Sequence, residues 1–189
     1  MKKLWPTYFL LFFLAETTAQ EAQPFEIRSA TIFYEHTGSI KANSVLCFDD
    51  YGAKRSLQTT NYRDSAGFEI INRYHDLYID NHVQTEKTEN SDSPDGSSEN
   101  LFTNSIINPV YNSELLKKLG YQEAGQCTIL QKPCINYTLM GDTICLWKGL
   151  VLKSTLNLSI VSINTEAVGI QSGSPPDSVF YLKKSIHNN

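Results

Sequence analysis

No block of Lys or Arg occurs anywhere in this 189-residue chain, whose formal net charge is −4. Nucleic-acid binding depends on clustered cations neutralising phosphates, so that class of partner is excluded. Long apolar runs are equally scarce. The longest, Leu4 to Ala15, falls short of the ~20 residues a spanning helix requires, so no segment reads as membrane-spanning. The strings of common catalytic frameworks are missing too: H-E-x-x-H, G-x-S-x-G, the P-loop and G-x-G-x-x-G do not occur. Cysteine is limited to Cys47, Cys127, Cys134 and Cys145, and no pair has the close spacing of a structural zinc site. Histidine is limited to His36, His75, His82 and His187. His75 and His82 are seven apart on one expected strand, an odd separation that places them on opposite faces. His36 beside a turn and His187 in the tail read as surface residues. The chain is thus expected to have no catalytic residue, no metal site and no cofactor.

What is present begins with an export signal. Lys2 and Lys3 precede the apolar run, and Thr17 and Ala19 occupy the small-residue positions of a cleavage after Ala19. Residues 1–19 are therefore expected to be removed, leaving 20–189 as a single β-rich domain in the periplasm or outside the cell. No cysteine follows the cleavage site to take a lipid anchor.

In the mature part, Ile32 and Tyr34 alternate with Thr31, Phe33 and Glu35, as on a strand with two different faces. A partner runs from Ile40 to Phe48 and stops at the turn Asp49-Asp50-Tyr51-Gly52. Further strands are expected near 56–63 and from Tyr74 to Val83. Residues 89–100 contain no apolar side chain and read as a mobile surface loop. Ser113 as N-cap, a Leu115, Leu116, Leu119 stripe and Gly120 predict one short helix over 114–119. Short strands then recur at 127–130, 134–139, 143–147, 151–161, 164–170 and 179–182. This spacing indicates a mainly β sandwich or barrel.

Two sets of residues carry functional expectations. Tyr34, Phe48, Tyr78 and Trp147 lie on expected strands of a curved sheet, where aromatic side chains either line an apolar ligand cavity or fill the core. Cys127 and Cys134 flank a two-residue turn at Leu130-Gln131, which sets them opposite each other as a disulfide candidate. The alternative is that all four cysteines are buried thiols. Asn90, Asp92, Asp95 and Gly96 suggest a calcium loop only faintly, since Pro94 occupies a ligand position. Asp49, Asp50 and Glu35 read as turn and solubility residues.

Three segments carry a family resemblance. They are Val45-Leu46-Cys47-Phe48-Asp49-Asp50-Tyr51-Gly52-Ala53-Lys54, then Leu119-Gly120-Tyr121 with Thr128-Ile129-Leu130-Gln131-Lys132-Pro133-Cys134, and Leu146-Trp147-Lys148-Gly149-Leu150-Val151-Leu152-Lys153-Ser154. Together they resemble a group of exported bacterial proteins of unknown function with the fold of the LolA/LolB outer-membrane lipoprotein carriers. The resemblance implies a curved antiparallel sheet forming an unclosed half-barrel, with one or two short helices plugging its open side. It also implies an apolar interior that would hold a lipid, an acylated molecule or another apolar ligand. The competing expectation is a non-catalytic cell-envelope scaffold whose barrel is filled and whose surface meets an envelope protein.

Overall fold

Alternation of inward and outward side chains dominates the architecture. The computed structural model describes residues 23–65, 68–79, 82–89, 112–158 and 160–181. The expected export segment and all but the first residue of the expected 89–100 loop lie outside the described residues.

Among the described residues ten strands form: β1 (Ala30–Gly38), β2 (Lys41–Asp49), β3 (Lys54–Ser65), β4 (Phe68–Ile79), β5 (His82–Glu89), β6 (Gln122–Ile129), β7 (Lys132–Leu139), β8 (Asp142–Trp147), β9 (Leu150–Leu158) and β10 (Val161–Ser172). Among the described residues one short helix, α1 (Ser113–Lys118), accompanies them. The strands make one antiparallel sheet in the order β5-β4-β3-β2-β1-β10-β9-β8-β7-β6. Two five-stranded meanders are thus joined where β1 pairs with β10. The terminal strands β5 and β6 are not neighbours, so the barrel is unclosed, as expected.

Tight turns set the registers. Leu130-Gln131, Met140-Gly141 and Lys148-Gly149 all have positive φ at both residues. That is the mirror-image turn whose twist matches the strands it joins. On β1, Ala30, Ile32, Tyr34 and His36 are buried while the alternate residues are not. Cross-strand pairing continues this inner face: Ile32 opposes Leu46, which opposes Leu57. The main core gathers these with Phe25, Phe48, Leu150, Leu152 and Ala167.

Bulges help the sheet wrap around that core. The β1–β10 register slips between Phe33 and Tyr34, and the β8–β9 register slips between Cys145 and Leu146. A bulge bends its strand and leaves a backbone group out of the ladder. The second bulge lies beside Val151, whose carbonyl accepts a hydrogen bond from the buried Tyr34 hydroxyl at 2.9 Å. In a flat sheet β1 and β9 would stand about 10 Å apart, two strand spacings. The bond therefore reports a concave face.

Several boundaries differ from those expected. Residues 74–83 span two strands, β4 and β5, paired from Ile79–His82 onward. His75 and His82 accordingly belong to different strands. Val161 opens β10 instead of closing β9. The segment expected as a last strand forms a 3-10 turn, Asp177–Phe180, behind Pro175 and Pro176, which have no N–H for a ladder. It packs against β3 and buries Phe180.

The helix is capped by Asn112, one residue before the expected cap; its side chain accepts from the Leu115 N–H at 2.7 Å. Leu116 packs with Tyr137, Ile144, Leu146 and Val151 in a second cluster. On β7 and β8 these residues alternate with Cys134 and Cys145, which belong to the main core. The helix therefore covers a cluster separate from the main core.

Candidate functional site

The inner face of the sheet carries all four aromatic candidates. Phe48 opposes Arg55, and Arg55 opposes Tyr78, so these three form one row across β2, β3 and β4. Tyr34 and Phe48 are buried inside the main core, at 3% and 0% exposure. Trp147 is half-buried against its edge, with the Lys132 and Lys148 ammonium groups 5.3 and 5.8 Å from its ring centroid. Tyr78 is half-buried under the Arg55 guanidinium, 4.9 Å from the ring. The Arg55 Nε is buried and makes no hydrogen bond among the described residues.

At one end the inner face is closed by the chain segment before β1. The Phe25 N–H donates to the Tyr51 carbonyl at 3.0 Å, and the Glu26 N–H to the Lys148 carbonyl at 3.1 Å. The segment is thus a strap tying the β2–β3 turn to the β8–β9 turn. Its Phe25 ring sits 4.5 Å from that of Phe48 and is 1% exposed. Two glycines make room for it. A Cβ on Gly52 would stand 2.6 Å from the Phe25 ring, and one on Gly149 would collide with the Pro24 carbonyl.

At the other end the inner face turns polar. His36 Nδ1 lies 2.9 Å from Thr165 Oγ1, and Nε2 lies 2.8 Å from Ser44 Oγ, which is 2.9 Å from Thr59 Oγ1. All four side chains are buried, and burial pushes the His36 pKa down to about 4. The imidazole is therefore neutral at pH 7, donating through one nitrogen and accepting through the other. A Ser–His pair invites comparison with a hydrolase, but Ser44 is 1% exposed. It also shares its hydroxyl with Thr59, so the arrangement works as a satisfied internal network.

His36 was expected at the surface. The signal that placed it inside was the alternation itself, since His36 continues the phase of Ile32 and Tyr34. Ser44 continues that of Leu46 and Phe48 in the same way.

Three of the cysteines, Cys127, Cys134 and Cys145, form a further cluster on β6–β8. Cys127 opposes Cys134, as the two-residue turn requires. The Cys127 sulfur lies 2.7 Å from that of Cys145, while the Cys134 thiol points at the Lys132 carbonyl, 3.3 Å away. Burial raises the thiol pKa of Cys134 to about 11 and that of Cys145 to about 12. Among the described residues no three His, Cys, Asp or Glu side chains are arranged to hold a metal ion, and no helix is long and apolar enough to cross a membrane. No protein-family model matches the chain, and no curated protein matches its sequence.

Proposed function

We propose that this protein is an exported, non-catalytic envelope protein that acts through its surface, its half-barrel serving as a filled scaffold. The observation that carries this reading is the occupied inner face. Phe25 reaches into it from the strap, and Ile32, Leu46, Phe48, Leu150 and Leu152 are each 0% exposed around it. An interior packed in this way holds a shape for other molecules to meet.

A second reading, a carrier for an apolar ligand with an acidic head, draws on one observation. Arg55 lies on the inner face beside Tyr78 with its Nε unpartnered, a donor that a carboxylate or phosphate would satisfy. In that reading Tyr34, Phe48, Tyr78 and Trp147 line the path of the acyl chain, and the strap yields to it.

Native mass spectrometry of the mature protein, purified from the cell envelope, separates the two. The scaffold reading expects a ligand-free mass and a melting temperature unmoved by fatty acids, phospholipids or lipopeptides. A stoichiometric lipid that raises the melting temperature on re-addition, and is lost in Arg55→Ala, would overturn it in favour of the carrier.

A further inference from the structure

Three of the four cysteines converge on the β6–β8 arm, and their geometry selects one pair. Counting back from the turn, Ile129–Lys132 is the closing hydrogen-bonded pair of the hairpin. Thr128–Pro133 is then a non-bonded pair, and Cys127–Cys134 a bonded one again. Bonded pairs hold their Cα atoms about 5.5 Å apart, within disulfide reach, but their side chains splay more than those of non-bonded pairs, so side-chain direction decides. Cys134 accordingly turns to the Lys132 carbonyl. Cys127 turns to Cys145 on β8, across the intervening β7. With the sulfurs already at 2.7 Å, they need to close by less than 1 Å to reach a bond of about 2.05 Å, with the curvature of the arm bringing the two Cα atoms to within about 7 Å of each other.

We propose that Cys127 and Cys145 are a site of disulfide formation that clamps β6 to β8, with Cys134 held beside it as a thiol. The oxidant is a disulfide donor, either a small one such as glutathione disulfide or a protein. The Cys127 thiolate attacks one sulfur of the donor, forming a mixed disulfide and expelling one donor thiolate. The Cys145 thiolate then attacks the Cys127 sulfur and expels the second. Two cysteine protons pass to the two donor thiolates, and two electrons pass to the donor. Cys127 is the more accessible of the pair and so meets the donor first. Burial holds Cys145 as a thiol at neutral pH, so closure accelerates as the pH is raised.

The test uses the full mature chain treated with glutathione disulfide, quenched in acid and digested without reduction. Lys132 precedes proline and resists trypsin, so all three cysteines fall in one tryptic peptide. Chymotrypsin, cutting after Leu130 and Tyr137, separates them. A peptide joining Cys127 to Cys145 is expected, with two of the four thiols still open to alkylation after denaturation. Cys134→Ala should leave the link intact, whereas Cys127→Ala should abolish it. The link should raise the melting temperature by roughly 5–10 °C, because it constrains the unfolded chain. A Cys127–Cys134 or Cys134–Cys145 peptide, or four open thiols after treatment, overturns the inference. The export reading is judged separately, by whether protein taken directly from cells already carries a disulfide.

Discussion

The two ends of the inner face solve the same problem by opposite means. At the strap end, the sheet is closed by apolar contact, Phe25 against Phe48, over backbone bonds to two turns. At the far end it is closed by polar contact, with His36 bridging Thr165 on β10 and Ser44 on β2. Apolar packing is indifferent to pH and depends on shape. A buried imidazole is tolerant of shape, since hydroxyls rotate to meet it, but it depends on remaining uncharged. The two ends should therefore fail under different stresses.

The largest effect is expected at the apolar end. Phe25→Ala removes a ring that is 1% exposed and leaves a void against Phe48, so it should cost about 3–5 kcal/mol in a urea titration. The loss should be the same at pH 7 and pH 5. A cost below ~1 kcal/mol would show that the strap rests on the core without filling it.

The polar end should show its effect in acid. Unfolded, His36 titrates near its ordinary 6.5; folded, near 4. Between these values the unfolded state binds more protons, so stability falls as the pH drops from about 6.5 to about 4. The fall from this group amounts to about 3 kcal/mol and levels off below pH 4. The Tyr34 ring faces the imidazole, 6.4 Å away, and burial raises its pKa further above the range, keeping it neutral. His36→Leu should flatten the profile across this window. A variant as acid-sensitive as the parent would assign the slope to other groups.

A smaller effect is expected where the strap meets its turn. Gly149 has φ +82 and faces the Pro24 carbonyl. Gly149→Ala adds left-handed strain and pushes the strap outward, at a cost of about 1–3 kcal/mol. The strap alone should loosen, so amide exchange at Phe25 and Glu26 should accelerate while that of His36 is unchanged.

Much of this contrast was legible in the residues, though unevenly. The alternation of Ile32 and Tyr34, the Asp49–Gly52 turn and the Leu130-Gln131 turn led directly to strands, hairpins and the Cys127–Cys134 register, because each is a local property of the chain. What escaped was non-local. Nothing local shows that Phe25, outside any strand, fills the core from a strap, or that Cys127 turns to a strand that is not its neighbour. His36 escaped for a different reason: residue type outweighed phase. A histidine near a glycine turn suggests surface, yet its even spacing from Ile32 and Tyr34 placed it inside with Ser44 and Thr165. The last strand was misread because Val179 and Phe180 are apolar; they pack instead from a 3-10 turn that begins directly after Pro176.

The smallest effect belongs to the outer side of the strands that carry the polar end. Thr165 faces His36, and its chain neighbour Glu166 faces the other way, meeting Lys153 at 2.8 Å. Those two side chains are 50% and 45% exposed, so water competes for the pair. Exposed ion pairs contribute between ~0 and 1 kcal/mol and weaken with salt. A double-mutant cycle on Lys153→Ala and Glu166→Ala should give a coupling below ~1 kcal/mol that shrinks further in 1 M salt. The cycle for His36 and Thr165, one residue along the same strand, should exceed it and ignore salt. A large, salt-resistant coupling at Lys153–Glu166 would mean that water does not reach this outer face in solution. It would then have to be covered by another molecule, as a scaffold that works through its surface requires.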